Sequence, residues 1–176
     1  VSAPTNYLNK YLSVTNVNRR ATLAAIDQMD VAIGRVLATL DAEGITTNTI
    51  VTFFGDNGGQ ASNGGSNLPL RGDKGDLYDG AIHTPAAIRW PGVLPSGVTN
   101  CQQFLWVGDL FPTLCAATGV TPLNTKSFDG TNVWPLLLAA NNGAFNPTTY
   151  RGLPLVSGSS AGSAILDVFS NGTNLT

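Results

Sequence analysis

The stretch that decides the fold is TIVTFF at residues 49–54, which runs directly into GDNGG at residues 55–59. β-Branched and aromatic residues fill residues 49–54 without a clean alternation, which is typical of a strand covered on both faces in a parallel sheet. Upstream, apolar residues recur at helical spacing between Arg19 and Ala42, which predicts an amphipathic helix that Gly44 ends. A helix followed by a buried strand indicates an α/β fold.

The segment after the glycine-rich stretch predicts further strands and helices. A second strand is expected at residues 86–90 and a third at residues 103–107. Asp109 is expected to cap the next helix, which Gly119 closes, and residues 133–140 form another short helix.

The C-terminal segment has a different character. Residues 164–169 predict a strand that enters a hairpin turn at Asn171-Gly172, because Asn-Gly accepts the positive φ angles of tight hairpins. Asn171 and Asn174 each begin a triplet that fits the N-glycosylation pattern. Together with the low lysine content, these triplets favour an exported protein.

Composition excludes several classes of protein. The chain has 176 residues, enough for one domain or a piece of one. Because 43% of residues are hydrophobic and only 11% are charged, disorder is excluded. The net charge is −2 and the basic residues do not cluster, so no nucleic acid partner is expected. No apolar run approaches the roughly 18 residues of a membrane span.

Asp56 and Asn57 are the first candidates for chemistry. They follow the predicted strand 49–54, and ligand sites of open α/β sheets lie beyond the carboxyl ends of the strands. A carboxylate beside an amide carbonyl offers hard oxygen donors suited to Ca²⁺ or Mg²⁺. The alternative from these residues alone is a structural Asx turn.

A series of motifs in a fixed order resembles the second half of a type I sulfatase, a family of the alkaline phosphatase-like superfamily. The motifs are MD at 29–30, GDNGGQ at 55–60, PLRGDKG at 69–75, YDG at 78–80, RWPG at 89–92, DLFPTL at 109–114, DG at 129–130 and VW at 133–134. Within that family, the stretches around Gln60, 67–74 and 126–134 are most similar to the arylsulfatase B (N-acetylgalactosamine-4-sulfatase) type.

The resemblance implies a fold and a domain organisation. It implies a mixed sheet flanked by helices, with residues 1–150 as the C-terminal part of the catalytic domain. Residues 151–176 would begin a small antiparallel C-terminal subdomain. We expect a missing N-terminal segment, or another chain, to supply the rest of the sheet, and we expect this chain alone to expose apolar surface around Val51 and Phe53.

The resemblance also implies roles for individual residues. Asp56 and Asn57 would be two of the calcium ligands, with magnesium as a possible substitute, and Lys74 would contact the sulfate group. Lys74 lies 18 residues after Asp56 on a glycine-rich loop, so it can fold back toward the ion. Arg71 is expected to brace this loop, and His83, the single histidine, to lie in a second shell or at the surface.

One element of the family pattern is absent from this sequence. No Cys/Ser-x-Pro-x-Arg segment, whose first residue is oxidised to the formylglycine nucleophile, is present; Ser2-Ala3-Pro4 lacks the arginine, and neither Cys101 nor Cys115 fits. Formylglycine is therefore expected in the missing N-terminal part. Whether the two cysteines pair with each other stays open.

The expected function is calcium-dependent hydrolysis of a sulfate monoester by a secreted or lysosomal enzyme. A sulfated carbohydrate is the expected substrate, and an aryl sulfate is the other candidate. A related phosphoesterase is one alternative, although Asn57 supplies oxygen where zinc phosphatases favour histidine. A non-catalytic extracellular structural or carbohydrate-binding protein is the other. The native mass discriminates between the sulfatase and this non-catalytic protein, because the enzyme requires a much larger chain.

Overall fold

The structure is a computed structural model that describes residues 1–98, 105–123, 127–139, 152–156 and 163–167. The chain divides into two compact units, one of Val1–Arg89 with Gly152–Leu166 and the other of Trp90–Arg151 with Asp167–Thr176. The glycosylation candidates Asn171 and Asn174, the predicted turn beside them and Cys101 lie outside the described residues. Cys115 is half-buried and forms no disulfide with the residues that the structure describes.

The described residues form helices and short strands in the order α1 Thr5–Leu8, α2 Val17–Ala42, β1 Val51–Phe54, α3 Asp79–Ile82, β2 Ala86–Arg89, α4 Leu110–Thr118, α5 Trp134–Leu138, β3 Gly152–Val156 and β4 Ser163–Asp167. Short 3-10 helices occupy Asn9–Tyr11, Thr46–Asn48, Ala61–Asn63 and Val107–Asp109. β3 and β4 pair in a two-stranded sheet, so the predicted C-terminal strand takes an upstream partner.

Helix α2 confirms the periodicity of its sequence. Asn16 caps its start, because the side-chain oxygen accepts a hydrogen bond from the Arg19 amide at 3.0 Å. Gly44, with φ of 67°, follows its end, as predicted. The helix runs two residues further back than expected because Asn16 satisfies one of the free amides of its first turn.

Strand β1 pairs with β2 in antiparallel orientation, so the expectation of a parallel neighbour for this strand is wrong for this pair. The register runs from Val51 opposite Arg89 to Phe54 opposite Ala86. A parallel pair needs a crossover that returns the chain to the opposite end of the strand, usually through a helix of several turns. The segment between β1 and β2 instead leaves and re-enters at the same end. Residues 55–85, which include one 3-10 helix and α3, therefore form one loop region beyond the carboxyl end of β1.

Apolar side chains on β1 and α2 remain exposed within the described residues. Phe53 and Phe54 are 37% and 45% exposed, and Val51 is half-buried. On α2, Ile26 and Val36 of the predicted apolar stripe are 50% and 57% exposed. The expectation that this chain exposes apolar surface along β1 is confirmed.

The second unit confirms two predicted helices and corrects two other predictions. α4 ends at Gly119 and α5 falls within the predicted 133–140 segment. The strand predicted at residues 103–107 is not formed by Leu105 and Trp106, and Val107 begins a 3-10 helix. The reason is Asp109: its buried carboxylate does not cap α4 but accepts amide hydrogen bonds from Trp106 at 3.2 Å and Thr131 at 2.7 Å.

No helix in the described part of the chain is both long enough and apolar enough to cross a membrane.

Candidate functional site

Asp56 and Asn57 lie where the sequence predicts, two and three residues beyond the end of β1. The Asp56 carboxylate is exposed and accepts the Asn57 amide at 2.9 Å through one oxygen. The half-buried Asn57 side chain donates from Nδ2 to the Gly58 carbonyl oxygen at 2.9 Å. The second Asp56 oxygen and the Asn57 Oδ1 accept no hydrogen bond from any residue that the structure describes, so two oxygen donors are free to bind a ligand.

The chain around these two residues is held by hydrogen bonds to the segment that leads into β2. The Gly55 amide donates to Pro85 at 3.0 Å, and Thr84 Oγ1 donates back to Gly55 at 3.0 Å. The Gly58 amide donates to the Ala81 carbonyl of α3 at 2.7 Å. Asp56 and Asn57 therefore lie between two backbone anchors that fix both ends of the GDNG turn.

Gly58 allows this close approach because a Cβ at that position would overlap the carbonyl oxygen of Gly80. We expect Gly58→Ala to lower the free energy of unfolding by on the order of 1–3 kcal/mol or more, as for other overpacking changes. Gly34→Ala is the matched control, since a Cβ there meets nothing within 4 Å in the exposed middle of α2. That change should raise stability by about 0.5–1 kcal/mol. Urea unfolding of the two variants checks both signs, and equal stabilities would refute the packing explanation.

Lys74 is returned to the neighbourhood of this turn by backbone hydrogen bonds. Its amide donates to the Gly59 carbonyl oxygen at 3.2 Å, two residues beyond Asn57. The Asp73 carboxylate reinforces the contact, because it accepts the Lys74 amide at 2.9 Å and the Ala61 amide at 2.9 and 3.0 Å. The Lys74 side chain is exposed, and its ammonium forms no salt bridge or hydrogen bond with the described residues. The cation is therefore available to an anionic ligand.

Asn67 is a residue of this site to which the sequence analysis gave no role. Its Oδ1 accepts the Gly59 amide at 2.7 Å, and its Nδ2 donates to the carbonyl oxygens of Gly59 at 2.9 Å and Gly72 at 3.0 Å. The sequence feature that could have identified Asn67 is an asparagine inside a stretch without regular structure, where a side-chain amide can replace missing backbone hydrogen-bond partners.

Helix α2 anchors the outer part of the same loop region at residues 62–64. Three of its side chains bond to three consecutive carbonyl oxygens: Asn18 Nδ2 to Ser62 at 3.0 Å, Arg19 to Gly64 at 3.0 Å and Thr22 Oγ1 to Asn63 at 2.6 Å. The first turns of α2 thus supply a rigid support for a loop that contains little regular structure.

Arg71 contacts a neighbouring aromatic ring, whereas the His83 side chain is exposed. The Arg71 guanidinium stacks on the Tyr78 ring at 3.7 Å from the ring centroid and donates to the Tyr78 hydroxyl at 2.7 Å. This contact ties residue 71 to the start of α3. His83 follows α3, its side chain is exposed, and its imidazole has no hydrogen-bond partner among the described residues.

The donor set fits a hard cation in part. Asp56 and Asn57 present a carboxylate and an amide oxygen, which Ca²⁺ and Mg²⁺ prefer, and Ca²⁺ takes six to eight such oxygens. No group of three or more His, Cys, Asp or Glu side chains suited to a metal ion was found in the part of the chain that the structure describes. These two residues can therefore form one side of a calcium site.

The family model and two curated relatives that match this chain are all sulfatases. The family model described as Sulfatase matches residues 2–120. Mouse arylsulfatase J is 34% identical over 134 residues, which cover 76% of this chain and 22% of that protein. Rat steryl-sulfatase is 36% identical over 122 residues, which cover 65% of this chain and 21% of that protein. The chain thus spans about a fifth of the length of these curated relatives.

Among solved structures, Ps i-CgsB in complex with k-i-k-neocarrahexaose superposes with a TM-score of 0.74 at 28% identity. The match covers 80% of this chain and 31% of that chain. This confirms the predicted fold class, a partial α/β sulfatase-like domain. With a family model that covers more than half of its residues, the chain belongs to the sulfatase family.

Proposed function

We propose that the full-length protein carrying this sequence is a calcium-dependent sulfatase that hydrolyses sulfate monoesters on a carbohydrate. One observation carries the proposal: the Lys74 amide donates to the Gly59 carbonyl oxygen, so a cation and two oxygen donors, all without partners among the described residues, lie on loops that are joined directly. A site that cleaves a sulfate ester needs this combination, because the metal and the charge-stabilising group must act on the same ester.

The proposed roles follow from the chemistry of each side chain. Asp56 and Asn57 would hold calcium through their free oxygens, and the bound ion would supply Lewis-acid polarisation of the sulfate. Lys74 would bind a sulfate oxygen and stabilise the negative charge that develops as the S–O bond to the leaving group breaks. Arg71, stacked on Tyr78, would keep the Lys74 loop in place rather than bind sulfate.

A carbohydrate substrate is supported by the solved structure at a TM-score of 0.74, whose ligand is named as a neocarrahexaose. The names of the curated relatives also include a steryl-sulfatase, so substrates differ within the family. We propose a sulfated sugar for this protein because its predicted exported location, based on the Asn171 and Asn174 triplets, would bring it to sulfated glycans outside the cell or in lysosomes.

The remaining parts of the proposal concern the domain organisation and the rest of the protein. Residues 1–150 would belong to the catalytic domain and residues 151–176 to a C-terminal subdomain. A formylglycine nucleophile would come from a segment absent from this sequence, because no Cys/Ser-x-Pro-x-Arg run occurs here. The exposed apolar residues of β1 and α2 would pack against that additional part of the protein.

His83→Ala is expected to retain kcat/KM within about threefold of wild type. The imidazole is exposed and lacks a hydrogen-bond partner among the described residues, so its loss removes no contact that orders the site. Steady-state kinetics of the full-length protein check this expectation. A loss of 10²-fold or more would instead give His83 the acid–base role that such groups supply.

Release of inorganic sulfate tests the proposed function. The full-length protein is incubated with an aryl sulfate, a sulfated oligosaccharide and the matching aryl phosphate, with and without a calcium chelator. The proposal requires calcium-dependent release of sulfate from the oligosaccharide. Hydrolysis of the phosphate alone would indicate a phosphoesterase, and no hydrolysis of any ester would favour a non-catalytic protein.

A further inference from the structure

Two loops of this site meet at the backbone amide and carbonyl groups of Gly59. The first loop, residues 55–61, carries Asp56 and Asn57, and the second, residues 67–74, ends at Lys74. The Gly59 carbonyl oxygen accepts from Asn67 Nδ2 at 2.9 Å and from the Lys74 amide at 3.2 Å. The Gly59 amide donates to Asn67 Oδ1 at 2.7 Å. Asn67 therefore uses both ends of its amide on the residue that also holds Lys74.

The same side chain also fixes the second loop from within. Its Nδ2 donates to the Gly72 carbonyl oxygen at 3.0 Å, two residues before Lys74. Asn67 is half-buried, and a Cβ on Gly59 would lie only 3.1 Å from its Oδ1, so the amide is packed closely against the first loop. Neither loop has a strand, and only one short 3-10 helix, Ala61–Asn63, lies within or between them. Their relative position therefore depends on side-chain bonds of this kind.

We infer that Asn67 is a positioning residue, an inference that rests on the proposed function. Its side chain acts as a clamp: it bonds to Gly59 of the first loop and Gly72 of the second, and so holds Lys74 beside the Asp56–Asn57 turn. Asp73 supports the clamp from the other side through its bonds to the Ala61 and Lys74 amides. Asn67 touches neither substrate nor metal in this role. Its effect is geometric, because a misplacement of about 1 Å in a catalytic group can cost about 10²-fold in rate.

Three variants of the full-length protein test the clamp. Asn67→Ala removes all three side-chain bonds, and Asn67→Asp keeps an acceptor for the Gly59 amide but loses both donated bonds. Asn63→Ala is the matched control, since it removes one side-chain bond, from Asn63 Nδ2 to Gln60 Oε1 at 2.6 Å, in the same loop region.

The expected results combine kinetics, calcium affinity and amide hydrogen exchange. Asn67→Ala should lower kcat about 10- to 100-fold with KM changed by less than about threefold. It should also raise the calcium dissociation constant about tenfold and accelerate exchange in peptides covering residues 55–61 and 72–76. Asn67→Asp should lose at least as much kcat as Asn67→Ala, because its second carboxylate oxygen would face the Gly59 and Gly72 carbonyl oxygens that Nδ2 now donates to. Asn63→Ala should stay within about twofold of wild type in every readout.

Two results would overturn the inference. One is Asn67→Ala matching Asn63→Ala in exchange. The other is faster exchange with unchanged kcat and calcium affinity, which would mean that Asn67 orders the loops without positioning Lys74 or the Asp56–Asn57 turn. If the wild-type protein hydrolyses no sulfate ester, only the proposed function fails. Exchange and calcium affinity are measured without substrate, and they then decide whether the clamp positions the Asp56–Asn57 turn.

Discussion

Asp56→Ala is expected to reduce calcium-dependent turnover of a sulfate ester by about 10³-fold or more. Lewis-acid stabilisation by a metal ion contributes several kcal/mol to a transition state, and each 1.36 kcal/mol is a factor of ten in rate. The fold should be largely preserved, because the Asp56 carboxylate is exposed and makes one hydrogen bond, to the adjacent Asn57 amide, within the described residues. Steady-state kinetics across a calcium titration, with a thermal unfolding curve for each variant, measure both effects.

Glu43→Ala is the control for the loss of a carboxylate. Glu43 is exposed at the end of α2, and its side chain makes no hydrogen bond with the residues that the structure describes. This variant should keep wild-type turnover and wild-type calcium dependence. If Asp56→Ala kept normal turnover in chelator-treated buffer, the assignment of Asp56 as a metal ligand would be wrong.

Lys74→Ala is expected to lower kcat by about 10²-fold or more, the magnitude found when one preorganised charge-stabilising group is removed. The ammonium has no partner among the described residues, whereas its backbone is fixed by bonds to Gly59 and Asp73. The substitution should therefore remove the cation and leave the loop in place. Single-turnover kinetics with saturating calcium separate the chemical step from binding.

Arg35→Ala removes a cation elsewhere and serves as the control for net charge. Arg35 is exposed on α2, and its side chain forms no hydrogen bond with the described part of the chain. Its loss should leave kcat and KM unchanged within about twofold. A Lys74→Ala effect confined to KM would make Lys74 a substrate-binding residue rather than a catalytic one.

Local sequence signals predicted the elements whose determinants are local. Helix α2 has a capping asparagine, apolar residues at helical spacing and a terminal glycine, and all of these act within a few residues along the chain. The position of Asp56 and Asn57 followed from the strand before them. Both predictions needed only the order of residues, and the structure confirms the placement of these residues after β1.

Long-range pairing was less predictable. An apolar strand at residues 51–54 is compatible with parallel or antiparallel neighbours, and the direction depends on where a loop of about 30 residues re-enters the sheet. The Asn67 contacts are of the same kind, because they join residues 59, 67 and 72 in a segment that has no periodicity to interpret. Asp109 shows how a long-range contact can replace a predicted local one. The sequence predicts that it caps α4, but its carboxylate instead accepts the amide of Thr131, 22 residues away.

The most direct measurement of the central claim is a crystal structure of the full-length protein grown with calcium, with the ion located by its anomalous scattering. We predict a calcium ion about 2.3–2.6 Å from a carboxylate oxygen of Asp56 and from Asn57 Oδ1, with the Lys74 ammonium facing the same pocket. A fully occupied calcium site elsewhere in the protein, with Asp56 and Asn57 facing solvent, would contradict the account.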